Sequence, residues 1–268
     1  MNGFQAFILG MVQGLTEFLP VSSSGHLLML EKVFGISSGS EGTMTMMVLL
    51  HVGTLLAVFV VYWQRILNMI LHPIRSELKW LILATIPAVI AALTVNFSAA
   101  FEGAFLCWSF WLTSVVLLAG DAIGQYRRKT QKPAKEVGFK HALTMGMMQA
   151  VAILPGLSRS GSTISGGVAS GLSRKRAADF SFLMSIPAIL GSVVLEGLDI
   201  IKGEAAPSTI GFVPILIGVI AAAIFGFLAI KLMLRIVKNT SLKWFALYTF
   251  VLGSLILVDK YLTHFFAW

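Results

Sequence analysis

Residues 19–25 read Leu-Pro-Val-Ser-Ser-Ser-Gly and interrupt an apolar stretch that runs from about residue 4 to residue 36. Proline cannot continue a helix and glycine favours its end, so the stretch divides into two short helices with a polar tip between them. Neither flank reaches the roughly 20 residues that a membrane-spanning helix needs. The pattern therefore predicts a re-entrant helical hairpin, whose irregular tip survives at membrane depth only inside protein or beside a wet cavity.

A second apolar stretch, at about residues 139–173, is interrupted in the same way at 154–161 by Leu-Pro-Gly-Leu-Ser-Arg-Ser-Gly. An offset of 136 residues, about half the chain, aligns the two stretches without gaps. This internal repeat predicts one integral membrane domain, 1–268, built from repeats at approximately 1–130 and 137–268. The matching residues are Gly10, Met11 and Gln13 with Gly146, Met147 and Gln149, and Ser22, Ser24 and Gly25 with Ser158, Ser160 and Gly161.

The whole chain is apolar, with 57% hydrophobic and 12% charged residues among 268, whereas a soluble domain carries about 25% charged residues. Each repeat has three further apolar runs, and an odd number of spans turns the second repeat upside down. The fold class expected is an all-α polytopic membrane protein with six transmembrane helices plus two re-entrant helical hairpins in an inverted-topology repeat. The predicted spans are at about 43–63, 79–97, 104–121, 177–198, 210–231 and 243–265.

The net charge of +8 is interpreted as loop charge rather than as a nucleic-acid site, because the basic residues cluster between spans. Basic connections near 65–79, 127–140, 174–176 and 231–243 are expected in the cytoplasm, and the connections near 98–103 and 199–209 outside. The first hairpin then enters from outside and the second from the cytoplasm, and both chain termini face outward. A bacterial inner membrane is the expected location.

The first candidate constellation joins an acid, hydroxyls and an imidazole. Gln13 and Glu17 stand four residues apart on one helix face, and a carboxylate among apolar residues is expensive enough to mark a functional site. The alternative is a carboxylate that snorkels outward or caps a helix. A helix N-cap explains one of the three serines, Ser22, Ser23 and Ser24. His26, one turn further, is a candidate base or nucleophile, although a lone histidine more often packs.

The second candidate constellation surrounds Arg159. A guanidinium between serines, followed by glycine and a new helix, suits an oxyanion, because the guanidinium fork and helix N-terminal N–H groups both match phosphate oxygens. The alternative is an arginine that binds a lipid headgroup or pairs structurally with a carboxylate. The hydroxyls expected to assist are those of Ser158, Ser160 and Thr163. His51, inside a predicted span, is interpreted as a packing residue or as a partner in a helix–helix hydrogen bond.

Together the motifs resemble the two signatures of the bacterial undecaprenyl-diphosphate phosphatase (bacitracin resistance protein) family, and the resemblance covers essentially the whole chain. Family members often have glutamate where this chain has Gln13. The resemblance implies hydrolysis of undecaprenyl diphosphate to undecaprenyl phosphate and inorganic phosphate at a site that faces the periplasm or cell exterior. It also implies recycling of the lipid carrier of peptidoglycan synthesis, bacitracin resistance and a divalent cation, Mg²⁺ or Ca²⁺. The motifs are Gln13-x-x-x-Glu17, Pro20-Val21-Ser22-Ser23-Ser24-Gly25-His26 and Pro155-Gly156-x-Ser158-Arg159-Ser160-Gly161-x-Thr163.

The resemblance assigns essential positions to Glu17, Ser23, His26 and Arg159, and the expected metal ligands are Gln13 and Glu17. Expected substrate-binding residues are Ser22, Ser24, Ser158, Ser160 and Thr163. Two mechanisms stay open, attack by Ser23 with His26 as base or attack by His26 with Ser23 in support.

A lipid-phosphate transporter or flippase, alone or in addition to the phosphatase, is the alternative function, because inverted repeats with broken midplane helices are also typical of transporters. A purely structural membrane protein leaves the intramembrane Glu17 and Arg159 without a reason. The expected partners are the lipid substrate and membrane lipids. The sequence leaves a homodimer open.

Overall fold

The computed structural model describes residues 1–36, 41–101, 103–130, 136–202 and 210–264. Within these ranges the chain is helical, with no strand. The helices are α1 (Gly3–Phe18), α2 (Ser23–Val33), α3 (Glu41–Leu71), α4 (Leu78–Thr94), α5 (Ser98–Phe101), α6 (Leu106–Thr130), α7 (Phe139–Val151), α8 (Arg159–Ser170), α9 (Arg174–Lys202), α10 (Phe212–Asn239) and α11 (Lys243–Val258), followed by a π-helical turn, Asp259–Thr263.

Five of the described helices are long and apolar enough to cross a membrane, which agrees with a multi-pass membrane protein. The sixth predicted span, 79–97, corresponds to α4, which has 17 residues and ends at Thr94. The prediction is wrong at that end because Val95 adopts an extended backbone. At 1.5 Å per residue α4 is about 25 Å long, somewhat shorter than a typical hydrocarbon core. The end of the last predicted span, residue 265, lies outside the described residues.

The first hairpin breaks where the sequence predicts. Helix α1 ends at Phe18, and Leu19 is extended, as expected of a residue that precedes proline. Ser22 caps α2, since its Oγ accepts from the Gly25 N–H. Ser22 has φ of 71°, a left-handed conformation that costs a non-glycine residue of order 1–3 kcal/mol and is typical of functional sites. The tip is held in a conformation that its own sequence does not favour.

The second hairpin has its break at residues 152–158, where α7 stops and α8 has not begun. Gly156 has φ of 89°, and a Cβ there would lie 2.8 Å from the Ser109 Cβ. The Thr113 hydroxyl of α6 donates to the Gly156 carbonyl at 2.9 Å and accepts from the Ser158 N–H at 2.9 Å. Protein groups therefore replace water as partners of this irregular backbone, as burial at membrane depth requires.

The first helix of each predicted repeat packs on a helix of the other predicted repeat. Helix α1 packs on α10, and α7, its counterpart in the repeat, packs on α4. The contacts are backbone to backbone at matching positions. A Cβ added to Gly10 would lie 2.2 Å from the Gly218 carbonyl oxygen, and one added to Gly146 would lie 2.5 Å from the Ala84 carbonyl oxygen. The glycines of the repeat thus let each hairpin dock against the other half.

Substitution of Gly10 by alanine is expected to lower the free energy of unfolding by about 1–3 kcal/mol, because the new methyl group overlaps the α10 backbone. Gly197→Ala is the matched control, since nothing lies within 4 Å of the added Cβ, and alanine in an open helical position is neutral or slightly stabilising. Thermal unfolding of the two variants in detergent measures the difference. Equal midpoints would show that the close packing of α1 on α10 is not required.

The hairpin tips rest on an apolar core. Phe18, the last residue of α1, packs edge to face on Phe182 of α9 with the ring centroids 5.3 Å apart, and both side chains are fully buried. Helix α3 packs on α9 at the same core. Glu17 and Ser181 each precede one of these phenylalanines, so the core fixes the position of polar groups beside it.

Candidate active site

The tips of the two hairpins meet at a partly buried ion pair. A Glu17 Oε1 lies 2.5 Å from Arg159 Nη2, although 142 residues separate them in sequence, and Glu17 is 7% exposed. Ser160 Oγ adds a second link, donating to the Leu19 carbonyl at 3.0 Å. The structure thus brings together the two motifs that the sequence singles out.

The other Glu17 oxygen faces the serine cluster. Ser23 Oγ donates to Glu17 Oε2 at 2.6 Å, a length typical of a hydroxyl bound to a charged acceptor. Gln13 Nε2 donates to the same oxygen at 3.1 Å. Because Glu17 already accepts the hydroxyl hydrogen, it is positioned to remove that proton when Ser23 acts as a nucleophile.

Groups of α8 and α9 on the side away from Glu17 fix the position of Arg159. Its Nη1 donates to the Ser181 carbonyl at 3.0 Å, and the Thr163 hydroxyl bonds to the Arg159 carbonyl at 2.8 Å and to the Ser181 hydroxyl at 2.6 Å. Thr163 is fully buried and is not among the residues that line the cavity described below. The structure therefore places Thr163, expected to bind substrate, behind the arginine as a support.

Two half-helices begin at the site. Ser22 caps α2 and Ser158 caps α8, each accepting a backbone N–H three residues on. The free N–H groups and the positive dipole end of a helix N-terminus attract an anion. Both caps, together with Ser24 and Ser160, line the same cavity. The four serines therefore lie where the sequence expects substrate-binding groups.

His26 does not join this group. Its Nδ1 lies 2.6 Å from the Ser22 carbonyl, and its Nε2 lies 2.7 Å from the Tyr248 hydroxyl of α11. A carbonyl only accepts, so Nδ1 carries the hydrogen and Nε2 accepts from the tyrosine. The ring also stacks on Tyr248 and is absent from the cavity lining. The helix turns His26 toward α11, while Ser23 faces Glu17.

His51 of α3 is the histidine that faces the carboxylate. Its Nε2 lies 3.6 Å from Glu17 Oε2, its Nδ1 bonds to the Met47 carbonyl at 2.7 Å, and it lines the cavity. Of the two interpretations of His51, simple packing and a polar helix–helix contact, the structure favours the second, between α3 and α1. The sequence did indicate a functional role for His51, because an ionisable residue inside a predicted span marks a functional site by default.

Gln149 of α7 is the second residue whose role the sequence does not reveal. It is 3% exposed, neither of its amide atoms has a hydrogen-bond partner, and it lines the cavity. The repeat aligns it with Gln13 of α1. A buried amide without a partner costs free energy unless a ligand satisfies it, so Gln149 is a candidate ligand-binding group.

One cavity of about 420 Å³ is lined by Glu17, Arg159, His51, Gln149 and the serines of both tips, but not by Gln13, His26 or Thr163. Its polar floor comes from the hairpin tips, with Glu17, Ser23 and Arg159. Its walls come from the spans α3, α4 and α9, with side chains such as Val48, Val89 and Ile189. A cavity that is polar at the base and apolar along the walls suits a molecule with a charged head and an apolar body.

Two oxygen donors in the site suit a hard divalent cation. Gln13 Oε1 is buried and has no hydrogen-bond partner, and the Glu17 carboxylate lies beside it. The described part of the chain contains no cluster of three or more histidine, cysteine, aspartate or glutamate residues that would hold a metal. Mg²⁺ is commonly held by one or two carboxylates and completed by substrate phosphate oxygens. Glu17, which lines the cavity, is therefore the donor that a cation shared with a phosphorylated substrate would use first, and Gln13 Oε1, which is buried behind the lining, would be the second.

Fold and site together define the class: a polytopic membrane protein whose buried cavity combines a carboxylate, a hydroxyl and a guanidinium, a set suited to phosphoryl groups. The family model described as "Bacitracin resistance protein BacA" matches residues 6–255. The chain belongs to this family.

Curated relatives agree over nearly the full length. The chain is 41% identical to the undecaprenyl-diphosphatase of Carboxydothermus hydrogenoformans, covering 96% of this chain and 97% of that protein. It is 39% identical to undecaprenyl-diphosphatase 3 of Bacillus cereus, covering 97% and 98%. It is 38% identical to the undecaprenyl-diphosphatase of Bacteroides fragilis, covering 96% and 98%.

Proposed function

We propose that this chain hydrolyses undecaprenyl diphosphate to undecaprenyl phosphate and inorganic phosphate. The observation that carries the proposal is the contact of Glu17 with both Ser23 and Arg159 inside a cavity of a multi-pass membrane protein. The relatives' printed names support hydrolysis of this lipid over transport. Recycling of the lipid carrier and bacitracin resistance follow from that activity.

The first chemical step is attack by Ser23 on the terminal phosphorus. As the new O–P bond forms, the hydroxyl proton passes to Glu17 and the anhydride P–O bond breaks, which releases undecaprenyl phosphate. Water then attacks the phosphoserine, and the serine oxygen leaves as inorganic phosphate forms. Glu17 returns its proton to that oxygen, and the protons of the attacking water leave with the inorganic phosphate or pass to solvent, so the protein ends unchanged.

Charge neutralisation precedes attack, because an incoming oxygen meets negative phosphate oxygens. The Arg159 guanidinium and the N-termini of α2 and α8 supply fixed positive charge at the tips. A cation held by Gln13 and Glu17 would neutralise further phosphate charge. The buried amide of Gln149 donates to a phosphate oxygen in this arrangement, which gives it the partner that it lacks.

The two histidines have different roles in this mechanism. His51 Nε2 lies 3.6 Å from Glu17 Oε2, so His51 stabilises the negative charge of the carboxylate that accepts the serine proton. His26 Nδ1 donates to the Ser22 carbonyl. This bond holds Ser22, the N-cap of α2, in its left-handed conformation. His26 is a positioning residue, and Ser23 is the nucleophile.

The proposal is tested by phosphate release from undecaprenyl diphosphate with purified protein in detergent, in the presence of Mg²⁺ or Ca²⁺ and again with a chelator. Inorganic phosphate and undecaprenyl phosphate are expected in equal amounts, with release strongly reduced by chelation. Absence of release with either cation would reject the proposed reaction. Full release with chelator would reject the cation alone.

The arrangement that supports an outward-facing site has six spans, α4 among them, and the hairpins α1–α2 and α7–α8 entering from opposite sides. The packing of α1 on α10 and of α7 on α4 supports this inverted repeat, and the basic connections favour a cytoplasmic position for the α3–α4 turn. The active site then opens to the periplasm or cell exterior.

Cysteine labelling in intact cells tests this orientation. Cys107 is buried and is replaced by serine to provide the background. Ile201→Cys, at an 82% exposed position near the end of α9, is expected to react with a membrane-impermeant maleimide, and Arg75→Cys only after permeabilisation. The reverse pattern would contradict the proposed orientation.

A further inference from the structure

A second cavity of about 400 Å³ lies between α4 and α9. We name it the α4–α9 groove. Its lining side chains are apolar except for Thr85, and several of them are about half exposed, including Ile82, Ile86 and Leu190. The groove therefore opens sideways, toward the hydrocarbon of a membrane. Its main lining residues are Leu81, Ile82, Ile86, Ile90, Ile186 and Leu190.

The groove is continuous with the active-site cavity. Thr85, Val89 and Pro187 line both. From this junction the groove follows α4 as far as Leu78, and the helix from residue 78 to residue 90 measures about 18 Å. A molecule with its head beside Arg159 thus has a direct apolar path along α4.

The repeat shows that this gap is not the ordinary packing of such helices. By the offset of 136 residues, the counterpart of the α4–α9 pair is the pair α10–α3. That pair is closed by glycines, since a Cβ on Gly53 would lie 2.5 Å from the Val219 carbonyl oxygen and one on Gly226 would lie 3.2 Å from the Ala57 Cβ. Branched side chains face the α4–α9 groove instead. One of two equivalent helix pairs is sealed, and the other is open at the active site.

We propose that the α4–α9 groove binds the first isoprenoid units of the lipid diphosphate, with the diphosphate in the adjoining cavity. This inference rests on the proposed function. An apolar groove excludes water, and a chain already tethered at the cavity by its headgroup reaches the groove at a high effective concentration. The groove also offers lateral entry, so the substrate enters the site without its tail leaving the membrane.

Photolabelling tests the proposal without turnover. A benzoylphenylalanine replaces Leu190 in the Ser23→Ala chain, reconstituted in phosphatidylglycerol vesicles with undecaprenyl diphosphate that carries tritium in its tail. The control places the same residue at Leu216 of α10, which is 45% exposed against 46% for Leu190. At least fivefold stronger labelling at position 190, removed by unlabelled undecaprenyl diphosphate, is the expected result. Equal labelling at both positions, or labelling that the competitor does not reduce, would overturn the groove assignment.

A second test places a bulky side chain in the groove of a chain that keeps Ser23 and is therefore active. Leu190→Trp is expected to raise KM for undecaprenyl diphosphate about tenfold with kcat within twofold, whereas Leu216→Trp leaves both constants unchanged. Unchanged constants in Leu190→Trp would count against the groove. Release of phosphate by the wild-type protein separates the two proposals: an inactive wild type rejects the proposed function, and an active one with failed labelling rejects the groove alone.

Discussion

The Ser23→Ala variant is expected to release phosphate from undecaprenyl diphosphate at least about 1,000-fold more slowly than the wild-type chain, because removal of a nucleophile abolishes the covalent route. Ser23 Oγ is the hydroxyl that lies 2.6 Å from a Glu17 oxygen. Its loss removes the attacking atom and leaves the charges of the site in place. KM is therefore expected to change much less than kcat. Initial rates over a range of substrate concentrations measure both.

Ser24→Ala is the matched control for this variant. Ser24 lines the same cavity, but its hydroxyl hydrogen-bonds to Ser22 at 3.4 Å rather than to the carboxylate. We expect a loss of less than about tenfold, the effect of a single neutral hydrogen bond to substrate. Comparable losses in the two variants would show that the carboxylate contact does not single out Ser23.

The second large effect concerns the ion pair between the hairpins. Glu17→Gln is expected to lower the free energy of unfolding by about 1–3 kcal/mol, because it leaves the partly buried Arg159 charge without its anionic partner. The same variant is expected to lose activity, since an amide cannot take the Ser23 proton. Thermal unfolding and phosphate release measure the two effects separately.

The double variant Glu17→Gln with Arg159→Met separates folding from catalysis. A neutral pair of similar volume is often as stable as a buried ion pair, so stability is expected to return toward that of the wild type. Activity is expected to stay absent, because the double variant lacks both the Glu17 base and the phosphate-binding guanidinium of Arg159. A double variant that is stable and active would show that the two tips are joined only for structure.

The hairpin breaks could be predicted from sequence because their causes are local. Pro20 forces Leu19 out of the helical conformation, and the second break has the same proline and glycine chemistry. Gly10 and Gly146, which the repeat aligns, make corresponding close contacts in the structure, although the sequence alone did not predict those contacts. Local rules and the repeat together predicted where the polar tips occur.

Which side chains enter the active site depends on how helices far apart in sequence pack together. Sequence spacing does not determine that packing. His26 follows the serines by one turn, yet its ring packs against Tyr248 of α11. His51 is 34 residues from Glu17 in sequence and faces it because α3 packs beside α1. In the sequence, Gln149 stood out only because the repeat aligns it with Gln13. Its role depends on a cavity that helices from both predicted repeats line.

Ser23, activated by Glu17 where the two hairpin tips meet, is expected to take the phosphoryl group from the substrate. The direct measurement is a rapid acid quench during turnover of undecaprenyl diphosphate labelled in its terminal phosphate, followed by peptide mapping. We expect an acid-stable phosphoserine at Ser23 that disappears as inorganic phosphate forms. An acid-labile label on a histidine peptide, or no protein label at any time while phosphate is released, would contradict it.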